Sequence, residues 1–264
     1  MTALLSASPL ERRPVWSPLP FATATTVFGA GSASMEPVTG PGAMWLTAVT
    51  NAASGEAGWI APGQLVVVHG EGFKPGVRVR FDRAAGHIAD LSSSQILVVA
   101  PYSIAGRDWV TVTVENPGGE RAEPLRAMVV EASPALFTVN GTGVGQAVAE
   151  NADGTANGPA NPAMPGEYLT LFGTGEGLPD CCPASQGERV PVEPWLLPMP
   201  KLPVRVFVDN QEAGVVYAGA LPGGTFGKLL VVLQVPRTLP AGCWEVTLQV
   251  GDFLGRPGVT VRVG

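Results

Sequence analysis

Charge is scarce in this sequence. Asp, Glu, Lys and Arg make up 14% of its 264 residues, against roughly 25% in typical soluble domains. Lysine stands only at Lys74, Lys201 and Lys228. The net charge of −6 and the absence of any Lys/Arg cluster or aromatic–basic alternation exclude a nucleic-acid footprint. The acids are spread out, so no acidic calcium cluster is indicated. No run approaches 18 apolar residues, so no membrane-spanning helix is expected. The opening Met1-Thr2-Ala3-Leu4-Leu5-Ser6 shows neither the basic nor the long apolar region of a secretory signal; the alternatives are a signal lost from this reading frame or another export route. Histidine occurs twice, at His69 and His87, and no Gly-x-Ser-x-Gly elbow is present. An enzyme needs a constellation of such groups, so none is expected, and no cofactor either.

Glycine and proline are abundant instead, at 34 and 26 residues, while hydrophobic residues make up 45%. Such a chain is turn-rich rather than disordered. Its order is repeated. Pro62-Gly63, a β-rich run and Gly70-Glu71-Gly72 recur at the same spacing as Pro165-Gly166 and Gly173-Thr174-Gly175. Val77-Arg78-Val79-Arg80-Phe81-Asp82 is echoed by Val204-Arg205-Val206-Phe207-Val208-Asp209. Ala105-Gly106 before Trp109 is echoed by Ala241-Gly242 before Trp244, and Asn51-Ala52-Ala53 by Asn161-Pro162-Ala163. Landmarks in one order mean two copies of one unit, and the length suits two domains, each with its own core.

Short apolar or alternating runs bounded by Gly, Pro, Asn and Ser predict strands over 65–69, 77–82, 95–99, 109–115 and 125–130. The second copy predicts them over 168–172, 203–209, 214–217, 229–235, 244–250 and 258–263. No amphipathic helix intervenes, so antiparallel sandwiches are expected. Asn116-Pro117-Gly118-Gly119 and Ala152-Asp153-Gly154-Thr155 carry hairpin-turn chemistry, the latter closing an opening strand pair of the second unit. Residues 178–202 hold six prolines and predict a loop packed by its own Trp195, Leu196 and Leu197. The divisions are an extended segment over 1–44, a first sandwich over 45–132 and a second over 133–264. Within the first of these, Phe21 to Phe28 alternates and is β-prone. It suits an extra edge strand, a flexible leader, or a strand given to a neighbouring molecule.

Ser133-Pro134-Ala135-Leu136-Phe137-Thr138, with Gly145-Gln146-Ala147, Asn151-Ala152-Asp153-Gly154-Thr155-Ala156-Asn157, Asn161-Pro162-Ala163-Met164-Pro165-Gly166 and Leu171-Phe172-Gly173-Thr174-Gly175-Glu176-Gly177, resembles a C-terminal domain found on secreted proteins of Acidobacteria such as Solibacter. The unit upstream is similar to the module that often precedes it, and both resemble the IPT/TIG branch of immunoglobulin-like domains. The resemblance covers roughly 47–264. It implies an all-β chain of two tandem immunoglobulin-like antiparallel sandwiches behind an extended N-terminal segment, in an exported or cell-surface protein, with no catalytic residues to carry over.

The expected function is therefore a non-enzymatic extracellular structural or adhesive protein. Its partner would be a second copy or another surface protein, engaged by β-augmentation through Phe21, Val27 and Phe28. A polysaccharide is the other partner considered, stacked on the loop residues Trp59 and Trp195. Trp109 and Trp244 start related strands and are read as core. His69 and His87 are read as core or edge histidines, and the Gly-x-Gly runs as strand-end turns. Glu150, Asn151, Asp153 and Asn157 are read as an Asx-supported turn. Glu176, Asp180 and Glu188 are read as ordinary loop acids. Cys181 and Cys182 are adjacent. One bridge from that pair to Cys243 is one reading and three reduced thiols the other.

Overall fold

The computed structural model describes residues 44–180, 190–192 and 197–264. They form the all-β architecture expected, two sandwiches in tandem. The first is built from β1 (Trp45–Asn51), β2 (Trp59–Ile60), β3 (Leu65–Glu71), β4 (Arg78–Phe81), β5 (Ala84–Ala85), β6 (His87–Leu91), β7 (Gln95–Val99), β8 (Trp109–Glu115) and β9 (Leu125–Val129). Its sheets run β1-β3-β7-β6 and β2-β9-β8-β4-β5. The second is built from β10 (Ala135–Leu136), β11 (Gly145–Gln146), β12 (Ala149–Asn151), β13 (Tyr168–Thr174), β14 (Val204–Val208), β15 (Gln211–Ala220), β16 (Leu229–Gln234), β17 (Gly242–Val250), β18 (Phe253–Leu254) and β19 (Val259–Val263).

Alternation decides what fills each core. In β8 the residues Val110, Val112 and Val114 point inward and are buried, while Trp109, Thr111, Thr113 and Glu115 point out. They meet Val66, Val68, Ile96 and Val98 from the facing sheet. In the second copy Val246, Leu248 and Val250 do the same against Leu169, Leu171, Val231 and Leu233. Each buried side chain of this size contributes about 1.5–3 kcal/mol relative to exposure.

The repeat is visible in the hydrogen-bond register. Asn51 lies opposite Val66, four residues after Pro62, and Asn151 lies opposite Leu169, four residues after Pro165. The counterpart of Asn51 is thus Asn151, not the Asn161 that the sequence suggests. Ile60 pairs in parallel with Val129, and Ala163 with Val263. In both copies the opening segment pairs antiparallel with the second strand, then crosses to pair in parallel with the last. The expected hairpin about Ala152-Asp153-Gly154-Thr155 forms as a short pair, with Glu150 bridging Ala156, while β11 joins β19 and β12 joins β13. The Asp153-Gly154 turn itself is present, with Asn151 N–H donating to Thr155 O and Gly154 N–H to Asn151 O.

Two further differences have local causes. The sequence reading names no strand over 45–51 or 87–91, yet β1 and β6 form the two edges of one sheet. Edge strands bury only part of one face, so their alternation is weak. In the second copy β15 spans both sheets, bonding β14 over Gln211–Ala213 and β16 over Gly214–Ala220, with a bulge between Val215 and Tyr217. A bulge bends a strand and lets it turn the corner.

The glycines that open each Gly-x-Gly sit where the first strand runs over the second. A Cβ on Gly70 would lie 2.1 Å from Trp45 O, and one on Gly173 would lie 2.6 Å from Ala135 O. Gly70→Ala should therefore lower stability by about 3 kcal/mol, as overpacking does. Gly214→Ala, whose Cβ meets nothing within 4 Å, should leave it unchanged or raise it by about 0.5 kcal/mol. Urea unfolding midpoints of the two variants check the contrast.

Candidate functional site

An aromatic row crosses the outer face of the first sandwich. Trp59 on β2 lies opposite Met128 on β9, and Met128 lies opposite Trp109 on β8. Residues in register on adjacent strands share a face. The three side chains are 56%, 39% and 47% exposed, and two strand spacings set the indoles about 10 Å apart. Arg126, two residues before Met128 on the same face, holds its guanidinium carbon 5.3 Å from the Trp109 ring centroid. Thr111 stands opposite Arg126, Arg80 opposite Thr113 and Arg78 opposite Glu115. The result is a flat strip of apolar, hydroxyl and guanidinium groups.

Trp59, read as a loop residue, is exposed but lies on strand β2, and Trp109 corrects the core reading. Val79 pairs with Val114, and its counterpart Val206 pairs with Leu248. Counting back from those pairs matches Trp109 with Cys243 and Val110 with Trp244. Trp244 follows Gly242 by two residues and Trp109 follows Gly106 by three, and one residue of offset puts a side chain on the opposite face. Trp244 accordingly packs against the core, with its Nε1 donating to Pro240 O at 2.9 Å. Cys243 is a free, exposed thiol, so no bridge to it forms in this structure. Phe21, Val27, Phe28, Cys181, Cys182, Glu188, Trp195 and Leu196 lie outside the described residues.

The second copy shows what this fold position demands. There the row reads Pro162, Arg262 and Cys243, since Cys243 pairs with Arg262 and Pro162 precedes Ala163. Neither aromatic nor methionine is needed to build the sheet at that place. Met128 and Arg126 were missed in the sequence because only pairing across three strands brings them to the tryptophans. The clue was their outward parity on β9.

Other candidates resolve into structural parts. His69 Nε2 lies 2.9 Å from Thr50 Oγ1, and burial pushes its pKa down, which favours the neutral ring. Asn151 Nδ2 donates to Asn161 O and Thr155 Oγ1, while Asn157 Nδ2 donates to Asn151 Oδ1 and Arg262 O. Asp153 Oδ1 accepts from the Thr155 amide and hydroxyl. These groups serve the turn and tie it to β19.

Glu176 departs from the loop-acid reading. It is buried where residues of both sandwiches meet, in a crevice lined by Tyr102, Pro179, Pro198, Met199, Ala220 and Phe226. Described residues of the proline-rich segment fold over it: Val190 and Leu197 cluster with Ala220 and Phe226, and Tyr102 and Tyr217 pack against them. That segment therefore packs on β15 and on the first sandwich as well as on itself. Nearby, Thr174 Oγ1 accepts from Leu65 N–H at 2.8 Å and donates to Gly227 O at 2.7 Å. Asn51 Nδ2 donates to Ser133 O, and Arg256 Nη1 to Ser54 O. Asp180, by contrast, is exposed.

Residues 49–126 match the model of the IPT/TIG domain. No curated protein matches the chain. Among solved structures it is similar to the plexin A4 full extracellular region, domains 1 to 8, at 11% identity over 84% of this chain and 18% of that one, with a TM-score of 0.31. It is similar to the Bacteroides ovatus mixed-linkage glucan utilization locus SGBP-B, in complex with a mixed-linkage heptasaccharide, at 11% identity over 78% of this chain and 43% of that one, TM-score 0.34. The D00-D0 domain of intimin matches at 13% identity over 84% of this chain and 99% of that one, TM-score 0.22. The chain spans less than a fifth of the plexin region and less than half of SGBP-B. Among the described residues no helix is long and apolar enough to cross a membrane.

Desolvation pushes the Glu176 carboxyl up to about 7, with the Glu176 and Gly175 amides partly offsetting it. Its Oε2 has no hydrogen-bond partner among the described residues. A carboxyl whose folded pKa is raised costs nothing while protonated in both states. It lowers stability as pH climbs from its unfolded value of 4.5 to about 7 and leaves the cost in place above that. Glu176→Gln should match the wild type near pH 4 and exceed it by about 3 kcal/mol at pH 8. Thermal and urea unfolding across that range test the difference.

Proposed function

We propose that this chain is a non-enzymatic, extracellular adhesive protein whose first immunoglobulin-like sandwich holds a polysaccharide on the Trp59–Met128–Trp109 row. The observation that carries the reading is the exposure of two indoles in one cross-strand row on one sheet face, at a position where the second copy has Pro162 and Cys243. A sugar ring offers an apolar face for stacking and a rim of hydroxyls, and the strip supplies indoles with Thr111 and Thr113 beside them. Stacking on an aromatic face needs no deep pocket, and a flat strip suits a chain that runs past it. The resemblance of 133–177 to a domain of exported acidobacterial proteins supports the extracellular setting. So does a composition poor in charge, which leaves a surface polar and largely uncharged. Self-assembly through Phe21, Val27 and Phe28 draws on residues outside those described, and the geometry favours the polysaccharide.

Affinity electrophoresis and pull-down on a panel of soluble and insoluble polysaccharides test this. Trp59→Ala and Trp109→Ala should each weaken retention about tenfold, a change of about 1.4 kcal/mol, with a melting temperature within a few degrees of the wild type. Cys243→Ser, at the counterpart position of the second copy, should retain binding in full. Retention unchanged from the wild type in both tryptophan variants, or a wild type that no polysaccharide retards, would overturn the reading.

A further inference from the structure

We infer that the polysaccharide taken by this face is acidic, its carboxylate or sulfate groups meeting Arg126, Arg80 and Arg78; the inference rests on the stacking role proposed for Trp59 and Trp109. The charges on the strip do not balance. Glu115 is taken by Arg121, 2.7 Å away, and Asp82 by Arg107 at 2.6 Å. No ion pair among the described residues involves Arg126, Arg80 or Arg78. Three guanidiniums therefore stand uncompensated on one face of a protein whose net charge is −6. Asp108 and Glu123 precede β8 and β9, outside the strand segments that carry these arginines.

The second copy again provides the comparison. Counting from the same strand pairs, the counterpart of Arg126 is Thr260, that of Arg80 is Phe207 and that of Arg78 is Arg205. Arg205 is neutralised: its Nε and Nη2 both donate to the Glu212 carboxylate at 2.7 Å. The fold thus accepts a paired arginine or none at these places, and the first copy has three without a carboxylate partner among the described residues, Arg80 Nη1 donating only to Arg83 O at 3.4 Å. Arg126 is further held by the Trp109 ring. That cation–π contact fixes the planar guanidinium beside the stacking surface, where its fork can donate two parallel N–H bonds to one anionic group. Successive strand rows on the same face lie about 6.7 Å apart. Arg126, Arg80 and Arg78 thus form an oblique file that an acidic polymer can follow while its rings rest on the indoles.

The test is affinity electrophoresis of the whole chain in gels containing a polyuronate, a sulfated glycan or a neutral glucan. The wild type should be retarded at least tenfold more strongly by an acidic polymer than by the neutral one. Arg126→Gln combined with Arg80→Gln should remove about tenfold of that retardation without changing the melting temperature. About 1 M salt, where the Debye length is about 3 Å, should do the same. Retardation by the polyuronate alone names the carboxylate as the recognised group, by the sulfated glycan alone the sulfate, and by both the anionic charge they share. Equal retardation by the neutral glucan, unaltered by the arginine changes, overturns this inference and leaves the tryptophan reading standing. Retardation by acidic polymers that survives both Trp59→Ala and Trp109→Ala is bulk charge attraction and overturns it too. No retardation by any of the three overturns both.

Discussion

Each sandwich depends on one segment that belongs to both of its sheets. In the first copy the chain pairs with β3 up to Asn51 and reappears at Trp59–Ile60 in parallel with β9. In the second it pairs with β13 up to Asn151 and reappears at Ala163 against Val263. A strap of this kind ties the sheets together at their open edge and sets their separation, so every inward side chain meets a partner of fixed height. Its geometry explains the residues at its two ends. Where it lies over the second strand, a Cβ beneath would meet backbone oxygen, and Gly70 and Gly173 are the response. Where it leaves, the carboxamide of Asn51 accepts from the Ala53 and Ser54 amides. Asn151 bonds Thr155 and Asn161. A buried strand end would otherwise strand those polar groups without water.

The same dependence explains what the sequence disclosed. Strands that bury one full face under matched punctuation were readable to the residue, as in Gln95–Val99 and Trp109–Glu115. The edge strands were not, because His87–Leu91 buries no residue fully and so carries no strong period. The Asn51–Asn161 match failed because the loop between strap and second strand is longer in the second copy. Equivalence there is set by distance from Pro62 and Pro165 along the ladder, not by the nearest asparagine. Trp109 and Trp244 failed through a single residue of offset after Gly106 and Gly242. Both matches were recoverable from the Val79 and Val206 alignment, since a ladder transmits register from strand to strand.

The candidate site divided along similar lines. Trp59 reads as a loop residue because it follows a Gly- and Ser-containing turn and its strand, β2, is only two residues long. Met128 and Arg126 carried no signal, since an isolated exposed methionine or arginine is ordinary and only the order β2-β9-β8 brings them beside the indoles. Glu176 was hidden for another reason. It lies between two glycines, where a loop acid is unremarked, and it is buried by distant residues, among them Tyr102 of the first sandwich and Phe226 of the second, which line its crevice and meet edge to face with centroids 6.3 Å apart. Burial produced by distant segments leaves no local pattern. It also shows a cost carried at that junction, where Thr174 Oγ1 accepts from Leu65 N–H, the Asn51 and Arg256 side chains donate between the copies, and one carboxyl oxygen has no partner among the described residues.

Whether the tryptophan row is there for stability or for binding is a question of magnitudes. Aromatic cross-strand pairs contribute roughly 0.2–1 kcal/mol over alanine, and Trp is a good strand former, so a stability role is real but small. It would be met as well by the β-branched residues that fill the neighbouring outward places, Thr111 and Thr113. Against it stands the exposure of two indoles and a methionine together on one face, which invites association unless something occupies it. The second copy resolves the balance, for it keeps the same strap, the same register and an ordered sheet with proline, arginine and cysteine in the row. The row is thus a residue set that the fold does without and that solubility disfavours, and this contrast is what supports the binding role proposed for it.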